Sequence, residues 1–184
     1  IGTLPIVYYG NEDQKKKYLP KLATGEFKAA YCLTEPDSGS DANSGKTTAT
    51  LSKDGTHYLI NGQKMWISNA GFAEIFIVFA RIENDKNITA FIMEFDKNNP
   101  NGVTLGAEEN KLGIASSSTR QVFFFFSKIP VENMLSERGQ GFKIALNSLN
   151  VGRIKLAAAC LDASRRIIKE SVVYANQRVQ FKTP

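Results

Sequence analysis

Two hydrophobic rhythms share this chain, and the change between them near Gly139 limits what it can fold into. Between residues 27 and 130, Phe, Tyr, Ile and Val come in short runs separated by turn residues. The runs at 29–34, 45–52, 57–66, 75–81, 88–94, 103–107 and 121–129 read as strands. Their connections carry turn chemistry: Lys53-Asp54-Gly55, Asn84-Asp85-Lys86 and the stretch 98–102. Asn61-Gly62 also predicts a sharp turn, since both residues tolerate positive φ. Beyond Gly139 the spacing becomes helical. Phe142, Ala145, Leu146, Leu149, Leu156, Ala159, Ala163 and Ile167 recur three or four apart, and the pattern continues to about Arg178. Many short strands followed by one long helix predict an α+β fold: a β-barrel or sandwich, then a helix that belongs in a bundle. Gly152 is the weak point of that helix.

The first residues add a smaller helical piece. In Gly10-Asn11-Glu12-Asp13-Gln14, Asn11 suits an N-cap and Gln14, three residues on, completes a capping box. Pro20 and Gly25 are expected to break this helix. The 184 residues, 42% of them hydrophobic, suffice for a substantial core. No apolar run approaches the roughly 20 residues that cross a bilayer, and no secretory leader pattern is present. The net charge of +5 suits a polyanionic ligand or an ordinary surface. The basic run Lys15-Lys16-Lys17 lacks interleaved aromatics, which argues against nucleic acid. One histidine, His57, excludes a His-rich metal site, and Cys32 and Cys160 read as reduced, partly buried thiols.

Three places could carry chemistry. The stretch 34–41 follows a strand and is rich in hydroxyls, glycine and acid. Its backbone could hold phosphate or a polar ring edge, or it could be a Ser/Gly turn. In Lys64-Met65-Trp66-Ile67-Ser68-Asn69, Trp66 offers a face for a planar cofactor and Ser68 a hydroxyl for its edge; plain core is the alternative for a lone tryptophan. Arg153 could meet a phosphate or a surface carboxylate. Gly139-Gln140-Gly141 lacks the strand–GxGxxG–helix arrangement of dinucleotide folds.

Five stretches, taken in order, resemble the acyl-CoA dehydrogenases: YCLTEPDSGSD at 31–41, INGQKMWISNAG at 60–71, KLGIASSSTRQVFF at 111–124, GQGFKIALNSLNVGRIKLAAA at 139–159 and YANQRVQF at 174–181. The resemblance implies the end of an N-terminal helical domain at 1–29, a middle β-barrel domain at 30–136, and the start of a C-terminal helical domain at 137–184. It implies that the chain is a fragment of a longer FAD enzyme. Such an enzyme converts acyl-CoA to trans-2-enoyl-CoA in fatty acid β-oxidation and passes electrons to an electron-transferring flavoprotein. An acyl-CoA oxidase and a non-catalytic flavin-binding or assembly protein of the same fold are the alternatives.

By position, Tyr31, Leu33, Thr34, Trp66 and Ser68 match residues that meet FAD. Arg178 and Phe181 match residues that reach FAD across a subunit interface, in a homodimer or homotetramer. Gly39, Ser40, Asn150 and Arg153 match positions that contact acyl-CoA. LNVGR at 149–153 resembles the long- and very-long-chain members. No catalytic base is assignable: most of the family places it later in the C-terminal domain, and a minority place it where this chain has Gly152. Bacterial cytoplasm is the expected compartment, with the mitochondrial matrix as the alternative. Phe123-Phe124-Phe125-Phe126 departs from the family, where acidic or amide residues follow two apolar ones. Such a run puts at least one ring on each strand face. Lys182-Thr183 also replaces the usual Gly-Lys.

Overall fold

A computed structural model describes residues 1–183 and divides into two compact units, one to Ser148 and one from Leu149. The first unit opens with helices α1 (Leu4–Tyr9) and α2 (Glu12–Thr24). Asn11 caps α2 as its sequence predicts: its side chain accepts from the Gln14 N–H at 2.8 Å, and Gln14 Oε1 accepts from the Asn11 N–H at 3.1 Å. The helix stops at Gly25, in the left-handed region at φ 77°. Pro20 does not end it, contrary to expectation. Side-chain anchors hold the helix from outside and offset the backbone bond that proline removes. Gln14 Nε2 donates to the carbonyls of Glu132 (2.8 Å) and Met134 (3.0 Å), and the Tyr18 hydroxyl lies 2.8 Å from Glu94 Oε1.

Eight strands follow: β1 (Ala29–Cys32), β2 (Thr48–Leu51), β3 (His57–Ser68), β4 (Ile75–Ile82), β5 (Thr89–Glu94), β6 (Val103–Glu108), β7 (Thr119–Pro130) and β8 (Met134–Leu135). The hydrogen-bonded path is β6-β7-β3-β2-β4-β5-β8, with β1 also on β4. One edge of β4 takes β5 antiparallel. Its other edge is divided between two parallel partners, β1 along Ile75–Val78 and β2 at Arg81 and Ile82. Strand β4 is therefore common to two sheets, and it is buried along nearly its whole length. That explains its continuous apolar run, in which no alternation shows. Both sheets turn their inner faces to one core that includes Cys32, Ile60, Phe76, Val78, Phe91 and Val122.

The β3–β7 ladder corrects the expected turn at Asn61-Gly62, because β3 runs straight through both residues for 12 in all. Gly62 sits at φ 148°, and a Cβ there would lie 2.6 Å from Thr47 Oγ1 and 2.8 Å from Thr47 Cα. The glycine thus serves a close crossing of two backbones, not a hairpin. The ladder slips twice, and the bulges fall on opposite strands. Between Ile60 and Gly62 the extra residue belongs to β7: Phe126 takes φ 47°, and its N–H donates to Asn61 Oδ1 at 2.9 Å. Between Lys64 and Ile67 the extra residue belongs to β3: Trp66 takes φ 56°. The Phe126 bulge resets the alternation of the phenylalanine run. Phe124 is buried, while Phe125 and Phe126 are 73% and 55% exposed.

A single helix, α3 (Gly141–Gln177), ends the regular structure. In the first unit, Ile144, Ala145 and Ser148 are buried, and Gly141 presses on the Ile88 carbonyl, with its N–H donating at 2.8 Å. In the second unit, α3 from Leu149 exposes Ile154, Leu161, Ile167 and Ile168. Gln180 and Thr183 then close a turn by exchanging backbone bonds of 2.8 and 3.0 Å.

Candidate functional site

The bulge at Trp66 is the centre of the site. A bulky residue at positive φ is uncommon and persists only where its surroundings enforce it. Here the bulge turns the indole out of the sheet, leaving it 62% exposed, while Lys64 and Ile67 on either side point into the core. The strand on one side and the stretch after β1 on the other fix this position. The Met65 N–H donates to the Thr34 carbonyl at 2.9 Å, laying residues 33–35 alongside 64–66. Ser68 ends β3 opposite Thr119. The Thr34 and Ser68 hydroxyls make no hydrogen bond among the described residues. The result is an exposed aromatic face flanked by open hydroxyls, the chemistry that a planar, hydrogen-bonding ring system requires.

Below the surface lies an ion pair that the sequence reading missed. Lys64 Nζ donates to Glu35 Oε1 at 2.7 Å and to the Leu33 carbonyl at 3.2 Å. Both side chains are buried, Lys64 being only 1% exposed. Glu35 also accepts from the backbone N–H groups of Lys46 (2.5 Å) and Thr47 (3.1 Å). Burial opposes charge on Glu35, but the Lys64 ammonium and these donors together hold its carboxyl below the usual carboxylate range. A cue existed in the sequence: along β3, Tyr58, Ile60, Gly62 and Lys64 share one parity. An inward lysine demands a partner. Nearby, burial pushes the Cys32 thiol up to about 12, with Lys64 opposing. Cys32 is therefore an inert core thiol, whereas Cys160 is exposed, not partly buried.

Tyr31 is largely committed to the fold. Its hydroxyl donates to the Ala145 carbonyl at 3.1 Å, and its ring meets Phe79 edge-on at 5.0 Å. Leu33 is buried. The Ser/Gly stretch is a turn held at its base by Glu35 and Ser38, which exchange backbone bonds of 3.0 and 3.1 Å. The buried Ser38 locks it further by donating to the Asp41 carbonyl at 2.6 Å. Gly39 and Ser40 are left exposed at the tip, and the Ser40 hydroxyl makes no hydrogen bond among the described residues. The turn reading and the ligand reading therefore apply to different residues of the same stretch.

Asn150, Arg153, Arg178 and Phe181 lie in the second unit. Arg153 Nη1 donates to Asn150 Oδ1 at 2.8 Å, one turn apart, leaving most of the guanidinium donors available. Arg178 stacks its guanidinium 6.0 Å from the Tyr174 ring and donates to the Tyr174 hydroxyl at 2.8 Å. Phe181, at φ 51°, is 98% exposed.

Comparison with known proteins identifies the frame. The acyl-CoA dehydrogenase middle domain matches residues 30–125, the C-terminal domain of the same family matches 139–184, and its N-terminal domain matches 1–26. The chain belongs to the acyl-CoA dehydrogenase family. A probable acyl-CoA dehydrogenase of Bacillus subtilis is 55% identical over the whole chain, and the human mitochondrial very long-chain specific acyl-CoA dehydrogenase is 47% identical over 98% of it. The chain spans 30% and 28% of the lengths of these two relatives. The crystal structure of an acyl-CoA dehydrogenase complexed with FAD from Bacillus anthracis superimposes with a TM-score of 0.89 at 53% identity, covering all of this chain and 32% of that one. The middle-domain match of the acyl-CoA dehydrogenases stops at residue 125, beside the Phe126 bulge. The Trp66 bulge lies well inside it.

Proposed function

We propose that this chain is part of an FAD-dependent acyl-CoA dehydrogenase that oxidises acyl-CoA to trans-2-enoyl-CoA in β-oxidation and hands its electrons to an electron-transferring flavoprotein. The observation that carries the reading is the outward Trp66 at a strained bulge, with the unbonded hydroxyls of Thr34 and Ser68 beside it. These residues fit the edge and face of an isoalloxazine. FAD, when bound, supplies the acceptor for the hydride that leaves the substrate β carbon.

The chain's own residues do the binding and orienting. Trp66 offers its indole as a wall, and Thr34 and Ser68 offer hydrogen bonds in the plane of the ring. Gly39 and Ser40, at the exposed tip of their turn, are assigned to acyl-CoA, as are Asn150 and Arg153 on α3, where a guanidinium suits CoA phosphate. Arg178 and Phe181 are assigned to FAD of a neighbouring subunit in a homodimer or homotetramer. The α-proton base is not assigned to this chain. Glu35 is excluded from that task by burial and by its bond to Lys64, and Gly152 has no carboxylate. We place the segment's domain borders at 29/30 and 136/137, and the protein in bacterial cytoplasm or mitochondrial matrix. No helix among the described residues is long and apolar enough to cross a membrane.

The test uses the full-length protein. It should purify yellow with bound FAD, reduce an electron-transferring flavoprotein when given acyl-CoA, and yield the 2-enoyl thioester. Colourless protein that fails to take up FAD overturns the reading. Release of hydrogen peroxide in place of electron transfer reassigns it to an oxidase.

A further inference from the structure

The buried ion pair lies directly behind the face assigned to the cofactor, and nothing in that assignment uses it. Two charges removed from water are a poor way to gain stability, because desolvation consumes most of their attraction. Such a pair is better explained by what it fixes in place. Lys64 occupies the inward position just before the Trp66 bulge, and its ammonium reaches both the Leu33 carbonyl (3.2 Å) and Glu35 (2.7 Å). Glu35 in turn gathers the N–H groups of Lys46 and Thr47 at the approach to β2. The backbone bond from Met65 to Thr34 closes the same junction from the other side, at 2.9 Å. Three segments distant in sequence, 33–35, 46–47 and 64–66, are thereby held in one register.

We propose that Glu35 and Lys64 are positioning residues for the flavin, setting the Thr34 hydroxyl in register with the Trp66 face. The inference rests on the FAD reading above and adds to it a second row of residues that touch no ligand. Without the pair, the 33–35 segment and the Trp66 bulge lose their common anchor. Each would remain folded, but a ring that needs both at once would be held less well. The isosteric Glu35→Gln variant keeps one oxygen for the Lys46 and Thr47 donors, but it removes the charge and puts an NH2 donor where Lys64 needs an acceptor.

The experiment is a double-variant cycle in the full-length protein: Glu35→Gln, Lys64→Met and both together, against wild type. Apoprotein unfolding in denaturant, the FAD dissociation constant and the position of the flavin absorption bands are read for each. Either single variant is expected to unfold more readily, since it strands one buried charge. The double variant should recover its unfolding midpoint, because no buried charge remains. Its FAD affinity should stay reduced by roughly 10- to 100-fold, with displaced flavin bands. A purely structural pair predicts that affinity and spectrum recover together with stability, and that result overturns the proposal. A double variant that does not fold also overturns it, because the pair would then be needed for the fold itself. Wild type that fails to bind FAD refutes the underlying reading and is seen before any variant is made.

Discussion

The two bulges of the β3–β7 ladder are near mirror images. Each inserts one aromatic residue at positive φ, Trp66 on β3 and Phe126 on β7, and each leaves its ring more than half exposed. Their supports differ. Trp66 stands over a buried ion pair, beside hydroxyls without hydrogen-bond partners among the described residues, and one strand residue from Arg120, which Glu108 holds at 2.7 Å. Phe126 is held by the Asn61 side chain and touches Phe125 edge-on at 4.9 Å. The same backbone device thus occurs once over a buried ion pair and once next to a single buried hydroxyl, that of Ser127, which has no hydrogen-bond partner among the described residues. A strained aromatic alone says little. A strained aromatic whose surroundings are organised to keep it there points to a ligand.

The largest effect is expected where the ladder passes Thr47. Gly62→Ala puts a methyl group within 2.8 Å of backbone at φ 148°, so denaturant titration should show a loss of about 3 kcal/mol. A loss under half of that would mean that the crossing can relax. Next is Trp66→Ala in the full-length protein. FAD binding should weaken about tenfold, with apoprotein stability changed by less than ~0.5 kcal/mol, since the ring is mostly exposed. Unchanged affinity would make the two bulges equivalent after all. At the other bulge, Phe126→Asn should leave FAD affinity untouched and raise stability by up to about 1 kcal/mol, because asparagine tolerates φ 47° where phenylalanine does not. A weakened flavin site in this variant would show that the bulges communicate.

The smallest effect is acid sensitivity. Glu108 accepts from Ser118 (2.6 Å), the Thr119 N–H (2.9 Å) and Arg120 (2.7 Å), which hold its carboxyl down at about 2. A depressed carboxylate stabilises the fold fully above its unfolded value of about 4.3, and that contribution is lost as pH falls toward 2. Amide exchange at 67–69, opposite these residues, should therefore accelerate over that range before exchange at 125–127, where Asn61 carries no titratable charge. Simultaneous acceleration would count against separate supports.

Much of this was legible in the sequence, and the failures have physical reasons. Period-two runs located seven strands because each is long enough to alternate or to stay apolar. β8 is two residues long, so it has no period to display. Asn61-Gly62 carries a strong local turn signal, but the glycine answers a contact with Thr47, 15 residues earlier in the chain, which no local window contains. The candidate residues Thr34, Trp66 and Ser68 stood out by residue type and resemblance. Their support did not, because Glu35 and Lys64 become partners only after two strands and a turn have closed. Pro20 failed as a helix breaker for the same reason: Gln14 and Tyr18 tie α2 to residues near Glu94 and Met134.

Strand β4 belongs to both sheets, and both of its parallel partners come from far earlier in the chain. Neither sheet can be completed by local hairpins alone. Parallel pairing must wait for long loops to close, and those closures are costly until the core rewards them. Assembly should consequently be slow and collective, with β4 gaining full protection only as both sheets close around it. A wound to either sheet is then a wound to both. In hydrogen-exchange terms the first unit's strands should open as one block, leaving no half-folded sheet that still displays Trp66.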